Sequence, residues 1–391
     1  MRVVRVGLVG SQFVSSIHLE ALRSVPGAEV VAVTSATEAH AKAFAARHSI
    51  PHWFTDFRKM YELRDLDLVV LGLPNDLHCE ATVAAAQAGK HVVCEKPLCL
   101  NLAEADRMIG ACRQAGVKLM YAEELCFTPK YVRLKQLIDE GALGTVHLVK
   151  QCEKHDGPHA PWFWDVRRSG GGVTMDMGCH AIEFFRWLLG GPLTPNPSPP
   201  GGEGKQIHSS PPGGEGLGVR GSKAGVRSVY ADMGTYVHGD RTKGDDSSTL
   251  ILKLEGGATA IAEESWAKPG GMDDRAEVYG SGGVAYADLL RGNAIHTYSQ
   301  SGYGYAVEKA GSTLGWSFTI YEEAWNYGFH AEMRHFVDCV REDRKPLCTG
   351  EDGRAVLEAI FAAYASAAEG RRIDLPFRTE AQRPIDLWRK P

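Results

Sequence analysis

Val3-Val4-Arg5-Val6-Gly7-Leu8-Val9 runs directly into Gly10-Ser11-Gln12-Phe13-Val14-Ser15. The first seven residues are short and mostly apolar, as in a buried strand of a parallel sheet. A helical pattern then continues through His18 and Leu22. Strand, glycine turn and helix in this order form a cradle in which a pyrophosphate meets a helix N-terminus. The usual Gly-x-Gly-x-x-Gly spacing keeps only Gly10, with Gln12 and Ser15 in place of the other two glycines. Gln12 must therefore point away from the phosphate or touch it.

The alternation continues outward from this stretch. Glu29-Val30-Val31-Ala32-Val33 reads as the second strand. Its end, Thr34-Ser35-Ala36-Thr37, offers no carboxylate for the ribose hydroxyls and no Arg for a 2′-phosphate. The cofactor is expected to be NAD or NADP, with a lean to NAD. Leu68–Leu73 is a buried strand running into Pro74-Asn75-Asp76-Leu77-His78, and a helix follows from about Glu80 to Ala88, stopped by Gly89. His91-Val92-Val93-Cys94 is another strand, and Pro97 must end it. Glu95 and Lys96 then stand at a carboxyl strand end, where open α/β sheets bind ligands. Asn101 and Glu104 make a capping box for a helix to about Ala115, and Val117–Ala122 is one more strand. Residues 1–123 therefore read as a doubly wound parallel sheet that binds a dinucleotide.

Residues 124–391 have a different texture. A helix from Pro129 to about Glu140 and a strand from Val146 to Glu153 lead to a polar and aromatic run, Lys154–Trp164. His155 and His159 stand four apart, but Gly157 and Pro158 forbid the helix that would pair them on a metal. No metal is expected, and His155, Trp162 and Trp164 are read as lining a substrate or shaping a structural loop. Gly170-Gly171-Gly172 precedes a helical pattern on which Asp176 and His180, four apart, share one face. The three glycines are read as letting a ligand approach the start of that helix. Residues 193–224 repeat Pro-Pro-Gly-Gly-Glu-Gly and read as a disordered insert that builds no core. Strands are expected at Ser228–Tyr236, Ser248–Leu254, Ala258–Trp266, Arg275–Tyr279, Val284–Asp288 and Ala294–Tyr298. Closing helices are expected at Ile320–Arg341 and Glu351–Glu369. This is an α/β domain with an open, mostly antiparallel sheet, one face of which would suit a partner subunit.

With Glu95-Lys96-Pro97 and Asp176-x-x-x-His180 in place, the chain resembles the Gfo/Idh/MocA oxidoreductases. The likeness includes Pro74-Asn75 with His78, Gly89-Lys90-His91-Val92, the triple glycine and Thr349-Gly350-Glu351-Asp352-Gly353. The resemblance implies an N-terminal Rossmann domain and NAD(P)-linked oxidation of an alcohol on a sugar or cyclitol. It implies that Lys96 orients substrate and cofactor ribose, that His180 exchanges the hydroxyl proton, and that Asp176 holds the substrate. It also implies a cofactor-binding set of Gly10, Ser11, Gln12, Phe13, Val14, Ser35, Leu73, Pro74, Asn75, His78, Glu95 and Lys96. The chain departs from many relatives in showing Glu124-Leu125-Cys126-Phe127 for Asn-x-Arg-Phe, which makes Glu124 a candidate substrate contact. Two other readings stay open: an NAD-dependent glycosidase acting through transient oxidation, and a non-enzymic sugar- or nucleotide-sensing protein on the same scaffold.

Composition narrows the field further. The chain has 391 residues, 44% apolar and 23% charged, with a formal net charge of −5. No basic field invites nucleic acid or an anionic membrane, and no apolar run approaches the ~20 residues of a membrane span. The N-terminus lacks a signal-peptide core, and the nine cysteines form no Cys-x-x-Cys pair. A cytoplasmic homo-oligomer, dimer or tetramer, with reduced buried thiols is expected.

Overall fold

The computed structural model describes residues 2–191, 222–290, 295–299, 315–319 and 323–389. The first sheet comprises β1 (Val4–Val9), β2 (Ala28–Thr34), β3 (His52–Phe54), β4 (Leu68–Leu71), β5 (His91–Cys94) and β6 (Leu119–Tyr121). Its order is β3-β2-β1-β4-β5-β6, and every pair is parallel. The order reverses between β1 and β4, so the crevice at their carboxyl ends is the topological switch point where such sheets take ligands. Gly10 and Gly72 end these two strands and nearly touch. A Cβ on Gly10, which sits at φ +123°, would lie 2.3 Å from the Gly72 carbonyl oxygen. β3 escaped the sequence reading because His52 and Trp53 are exposed, so it carries no apolar run.

Helix punctuation follows the sequence closely. Gly89, Gly116 and Gly141 all have positive φ at helix ends. Asn101 accepts from the Glu104 amide, and Glu104 caps the amide of Leu100 rather than that of Asn101. The helix expected from about Glu80 starts at Asn75, because Pro74 and the acidic first-turn Asp76 suit a helix start.

The second sheet comprises β7 (Val146–Lys154), β8 (Val226–Gly234), β9 (Ser247–Leu254), β10 (Thr259–Ser265), β11 (Asp273–Gly280), β12 (Val284–Asp288) and β15 (Ile373–Asp374). Its order is β12-β11-β7-β10-β9-β8-β15, antiparallel except for the parallel pair β7–β10. A separate hairpin joins β13 (Ile295–Ser299) to β14 (Gly315–Thr319). The buried residues of β8 and β9 alternate with exposed ones, so one face packs on the core, including the helix Gly350–Glu369. The helix expected over Ile320–Arg341 is described from residue 323 as two pieces, Glu323–Asn326 and Phe329–Arg341, parted by Gly328 at φ +92°.

Of the expected insert, residues 192–221 lie outside the described residues. Its last residues do not behave as an insert. Lys223 is buried and pairs with Glu183 and Asp352, and the Ala224 amide donates to the Arg186 carbonyl. The two ends meet, with the Gly191 amide 2.7 Å from the Ser222 carbonyl oxygen. Replacing residues 192–221 by two glycines is therefore expected to leave a folded protein with turnover within about twofold of the full chain, since loop closure of so short a gap costs little. Insoluble or inactive product would contradict that expectation. Extending the deletion through Lys223 is expected to destabilise, because, among the described residues, it takes from the buried Glu183 one of its two cations and leaves only Arg186.

Candidate active site

Lys96 follows β5, and its peptide bond to Pro97 is cis. Its ammonium donates to Asp176 Oδ1 at 3.1 Å and to the Asp176 carbonyl at 3.2 Å. Burial alone would lower the Lys96 pKa, but Asp176 together with Cys179, Glu124 and Glu153 outweighs it and holds the group well above its ordinary value. Burial would likewise raise Asp176, and Lys96 with His155 and His180 keeps it lowered. The pair is thus an ammonium and a carboxylate at neutral pH. Trp266, fully buried, donates its indole N–H to Asp176 Oδ2 at 3.2 Å. Trp266 went unnoticed in the sequence because it ends an ordinary alternating strand.

Asp176 and His180 do not share one helix. The chain breaks at Met177 into Val173–Asp176 and Gly178–Leu188, so Asp176 ends one helix and His180 starts the next. The preceding glycines are not open to a ligand either. A Cβ on Gly172 would lie 1.9 Å from the Asp245 carbonyl oxygen, and one on Gly171 would lie 2.2 Å from Tyr364 Oη. These glycines let two backbone segments touch, and Asp245 then braces the break through the Gly172 and Thr174 amides.

His180 is 2% exposed, and its Nδ1 lies 2.6 Å from Glu123 Oε1. Burial lowers the imidazole to about 4, so it is neutral at physiological pH, and burial pushes the Glu123 carboxyl well up. In the tautomer whose Nδ1–H donates to Glu123, Nε2 keeps its lone pair, the state a general base needs. Glu124 Oε1 lies 3.7 Å from that Nε2. Glu123 was missed in the sequence, although two carboxylates directly after the run into β6, beside the strand that carries Lys96, were a usable signal. Glu123, His180 and Cys179 also bring potential metal-ligand atoms within 4.8 Å of one another. Here they are spent on hydrogen bonds, Glu123 with His180 and the Cys179 thiol to the Asp176 carbonyl.

At the dinucleotide side, Gln12 caps the helix Phe13–Arg23 without a side-chain bond, and Gln12 and Phe13 are exposed. Val14 is partly buried on the first turn. Ser11 Oγ donates to Ser35 Oγ at 2.7 Å, linking the ends of β1 and β2. Leu73 and Pro74 line the end of β4 and are partly buried. Glu95 faces inward. Its Oε1 lies 2.6 Å from His18 Nε2, and its Oε2 accepts from the Lys96 amide. Burial would raise Glu95, but His18 and Lys96 hold it lowered. Two members of the expected cofactor set are tied to backbone carbonyls. His78 is fully buried with its ring nitrogens 3.0 Å from the Pro97 carbonyl and 2.9 Å from the Leu73 carbonyl. Asn75, 1% exposed, donates to the Ser169 carbonyl. His78 thereby fixes the loop that carries Lys96, and Asn75 fixes the segment before the triple glycine.

The aromatic run splits as well. Trp164 packs inward, edge-on to Trp266 with centroids 5.3 Å apart, and the Arg241 guanidinium lies 3.8 Å over its ring. Trp162 stacks on Phe163 at 3.8 Å. His155 is 5% exposed, accepts from the Gly157 amide, and acts electrostatically on Asp176. The same loop reaches the dinucleotide turn, with His159 and Phe13 ring centroids 4.8 Å apart.

Beneath the site lies a store of buried carboxyls. Glu332 is fully buried with no hydrogen-bond partner for either oxygen among the described residues, and burial, then Glu124 and Glu95, push it well above the carboxylate range. A carboxyl raised on folding binds its proton more tightly in the native state, so its share of stability falls as pH rises above the ordinary carboxyl range. Glu332→Gln is expected to flatten the decline of Tm between pH 6 and pH 9 relative to the native chain. Parallel melting curves for the two proteins would refute this.

A doubly wound parallel sheet with an ammonium after β5 and a neutral imidazole on the following domain is the arrangement of a nicotinamide-dependent dehydrogenase. The chain belongs to the Gfo/Idh/MocA oxidoreductase family. The model for its NAD-binding Rossmann fold matches residues 4–123, and that for its C-terminal alpha/beta domain matches residues 135–375. The chain is 26% identical to the myo-inositol 2-dehydrogenase of Thermotoga maritima, over 95% of this chain and 98% of that one. It is 28% identical to the inositol 2-dehydrogenase of Rhizobium meliloti, over 95% and 99%. Among solved structures it resembles GenD2 from gentamicin A biosynthesis in complex with NAD, with a TM-score of 0.82 and 28% identity over 96% of this chain and 97% of that one. Among the described residues, no helix is long and apolar enough to cross a membrane.

The residues present fit a nicotinamide dinucleotide. Gly10 has no room for a side chain, the 11-residue helix Phe13–Arg23 has no acidic residue in its first turn, and the Gln12 amide group is unspent.

Proposed function

We propose that this oxidoreductase oxidises a secondary alcohol on a sugar, sugar derivative or cyclitol, with NAD as the preferred cofactor. The observation that carries the reading is the neutral His180 Nε2 in one crevice with the Lys96–Asp176 pair. Both flank the place where a carbinol must sit to meet a nicotinamide. The bound dinucleotide supplies the hydride acceptor. Gly10, Ser11, Gln12, Phe13, Val14 and Ser35 hold it, with Leu73 and Pro74 along the strand end. His180 takes the hydroxyl proton, with Glu123 fixing the ring. Lys96 donates to the same oxygen and stabilises alkoxide character, and Asp176 keeps Lys96 charged and placed. Residues 1–123 serve the cofactor, and 124–391 serve the substrate and assembly.

The names of the inositol dehydrogenases support the substrate class. A homo-oligomer belongs to the same reading. Tyr230, Ile251, Ile261, Lys150, Glu277 and Tyr286 are register partners across the outer face of the second sheet, with Tyr230 and Ile251 each 40% exposed. Such a partly apolar row suits a second copy. The test is incubation with NAD or NADP against inositols, aldoses and aryl glycosides, reading reduced cofactor and released aglycone. Reduced cofactor without aglycone supports the dehydrogenase, whereas aglycone without net reduction would replace it by the glycosidase.

A further inference from the structure

Among the described residues, the Glu124 side chain stands beside His180 without a hydrogen bond, unlike its acidic neighbours Glu95, Asp176 and Glu123. Glu95 is spent on His18, Asp176 on Lys96 and Trp266, and Glu123 on His180 Nδ1. Glu124 is 8% exposed, and none of the hydrogen bonds among the described residues reaches its side-chain oxygens. Its nearest partner is His180 Nε2 at 3.7 Å. Groups of both signs act on it. Glu123 and Glu95 oppose its charge, and it in turn opposes those of Glu153 and Glu332. Lys96 and His180 oppose them, but the Lys96 charge already belongs to Asp176. Burial is the first cause that lifts the Glu124 carboxyl to about 7, so it ionises at neutral pH only at a cost that a cation would remove.

Its position says which substituent it meets. A substrate hydroxyl that gives its proton to His180 Nε2 sits within ~3 Å of that atom. Glu124 Oε1, 3.7 Å from the same Nε2, then borders the bound alcohol and the substituents beside it. We propose that the substrate carries a basic amino group on the carbon next to the alcohol it loses, and that Glu124 is the partner of that ammonium. This rests on the polyol dehydrogenase reading and narrows it to amino sugars and aminocyclitols. The redox step is unchanged, and the amine leaves the site still bonded to its carbon.

The test uses the full chain with NAD and matched substrates that differ at one substituent. These are glucosamine, N-acetylglucosamine and glucose, with an inosamine and the corresponding inositol as a second set. The acetamide keeps the nitrogen and removes the charge. The expected kcat/KM for the free amine exceeds both neutral partners by about tenfold or more, as a charge-assisted hydrogen bond in a secluded site provides. In Glu124→Gln the amine-to-hydroxyl ratio is expected to collapse toward one. A ratio inside one variant cancels any general loss of folded enzyme, and the native comparison decides alone if that variant does not fold. Equal or better use of the hydroxyl or acetamido substrate overturns the proposal, as does an unchanged ratio in Glu124→Gln. Oxidation of neutral polyols without amine preference removes only this inference. Failure to oxidise any alcohol in either set removes the dehydrogenase reading as well.

Discussion

Replacing Lys96 by methionine is expected to lower kcat by roughly 10²–10³-fold, the range for losing one positioned electrostatic donor. Methionine keeps the length of the stem and removes the charge. The developing alkoxide then loses its cation, while the dinucleotide turn at Gly10–Val14 is untouched, so binding of NAD largely persists. Stability falls too. The side chains of Lys96 and Asp176 are 19% and 9% exposed, and breaking a pair this buried leaves an unanswered carboxylate at a cost of about 3 kcal/mol. A Lys96→Met/Asp176→Asn double variant separates the two effects. It removes the stranded charge, so Tm recovers most of the loss, while kcat stays low. Stopped-flow reduction of NAD and thermal melts read both quantities. Near-native turnover in the single variant would end the assignment of Lys96.

His180→Ala is expected to lose roughly 10²–10⁴-fold in kcat, the contribution of a placed general base. The pH profile carries more information than the loss itself. The imidazole is held at about 4 by burial, so the base is unprotonated throughout the neutral range and fails only as pH drops toward that value. The native enzyme should therefore show an acid limb in kcat/KM near pH 4, and the alanine variant should lack it. Added imidazole is expected to restore part of the rate. A variant with the same acid limb as the native chain would show that another group takes the proton. Glu123→Gln provides a milder companion. It keeps a hydrogen-bonding group at Nδ1 but alters which ring nitrogen carries the proton.

Most of the first sheet was legible because each strand is a short apolar run punctuated by glycine or proline. Gly10, Gly89, Gly116 and Gly141 mark their turns through positive φ, which only glycine adopts cheaply. β3 was not legible, since an exposed edge strand needs no apolar run. Lys96, Asp176 and His180 were found from strand-end position and spacing, and they do converge. The reason given for the last two was wrong. Helical spacing suggested one face, but their proximity comes from a helix break at Met177 that Asp245, some seventy residues on, holds in place. A contact of that range leaves no local periodicity. The same holds for Glu123, whose partner is 57 residues away, and for Trp266, 90 residues from Asp176. The burial of His78 and Asn75 against backbone carbonyls was not legible, because a strand-end position does not reveal which way a side chain turns.

The most direct test of the account follows one hydrogen. Inositols and aldoses deuterated at each carbinol carbon are given with NAD to the native chain and to His180→Ala, and the reduced dinucleotide is weighed by mass spectrometry after a single turnover. The account predicts one deuterium in the reduced cofactor from a single carbinol position, formed by the native enzyme at least ~100-fold faster than by the variant. Reduced cofactor without deuterium, or the same rate from both proteins, would contradict it.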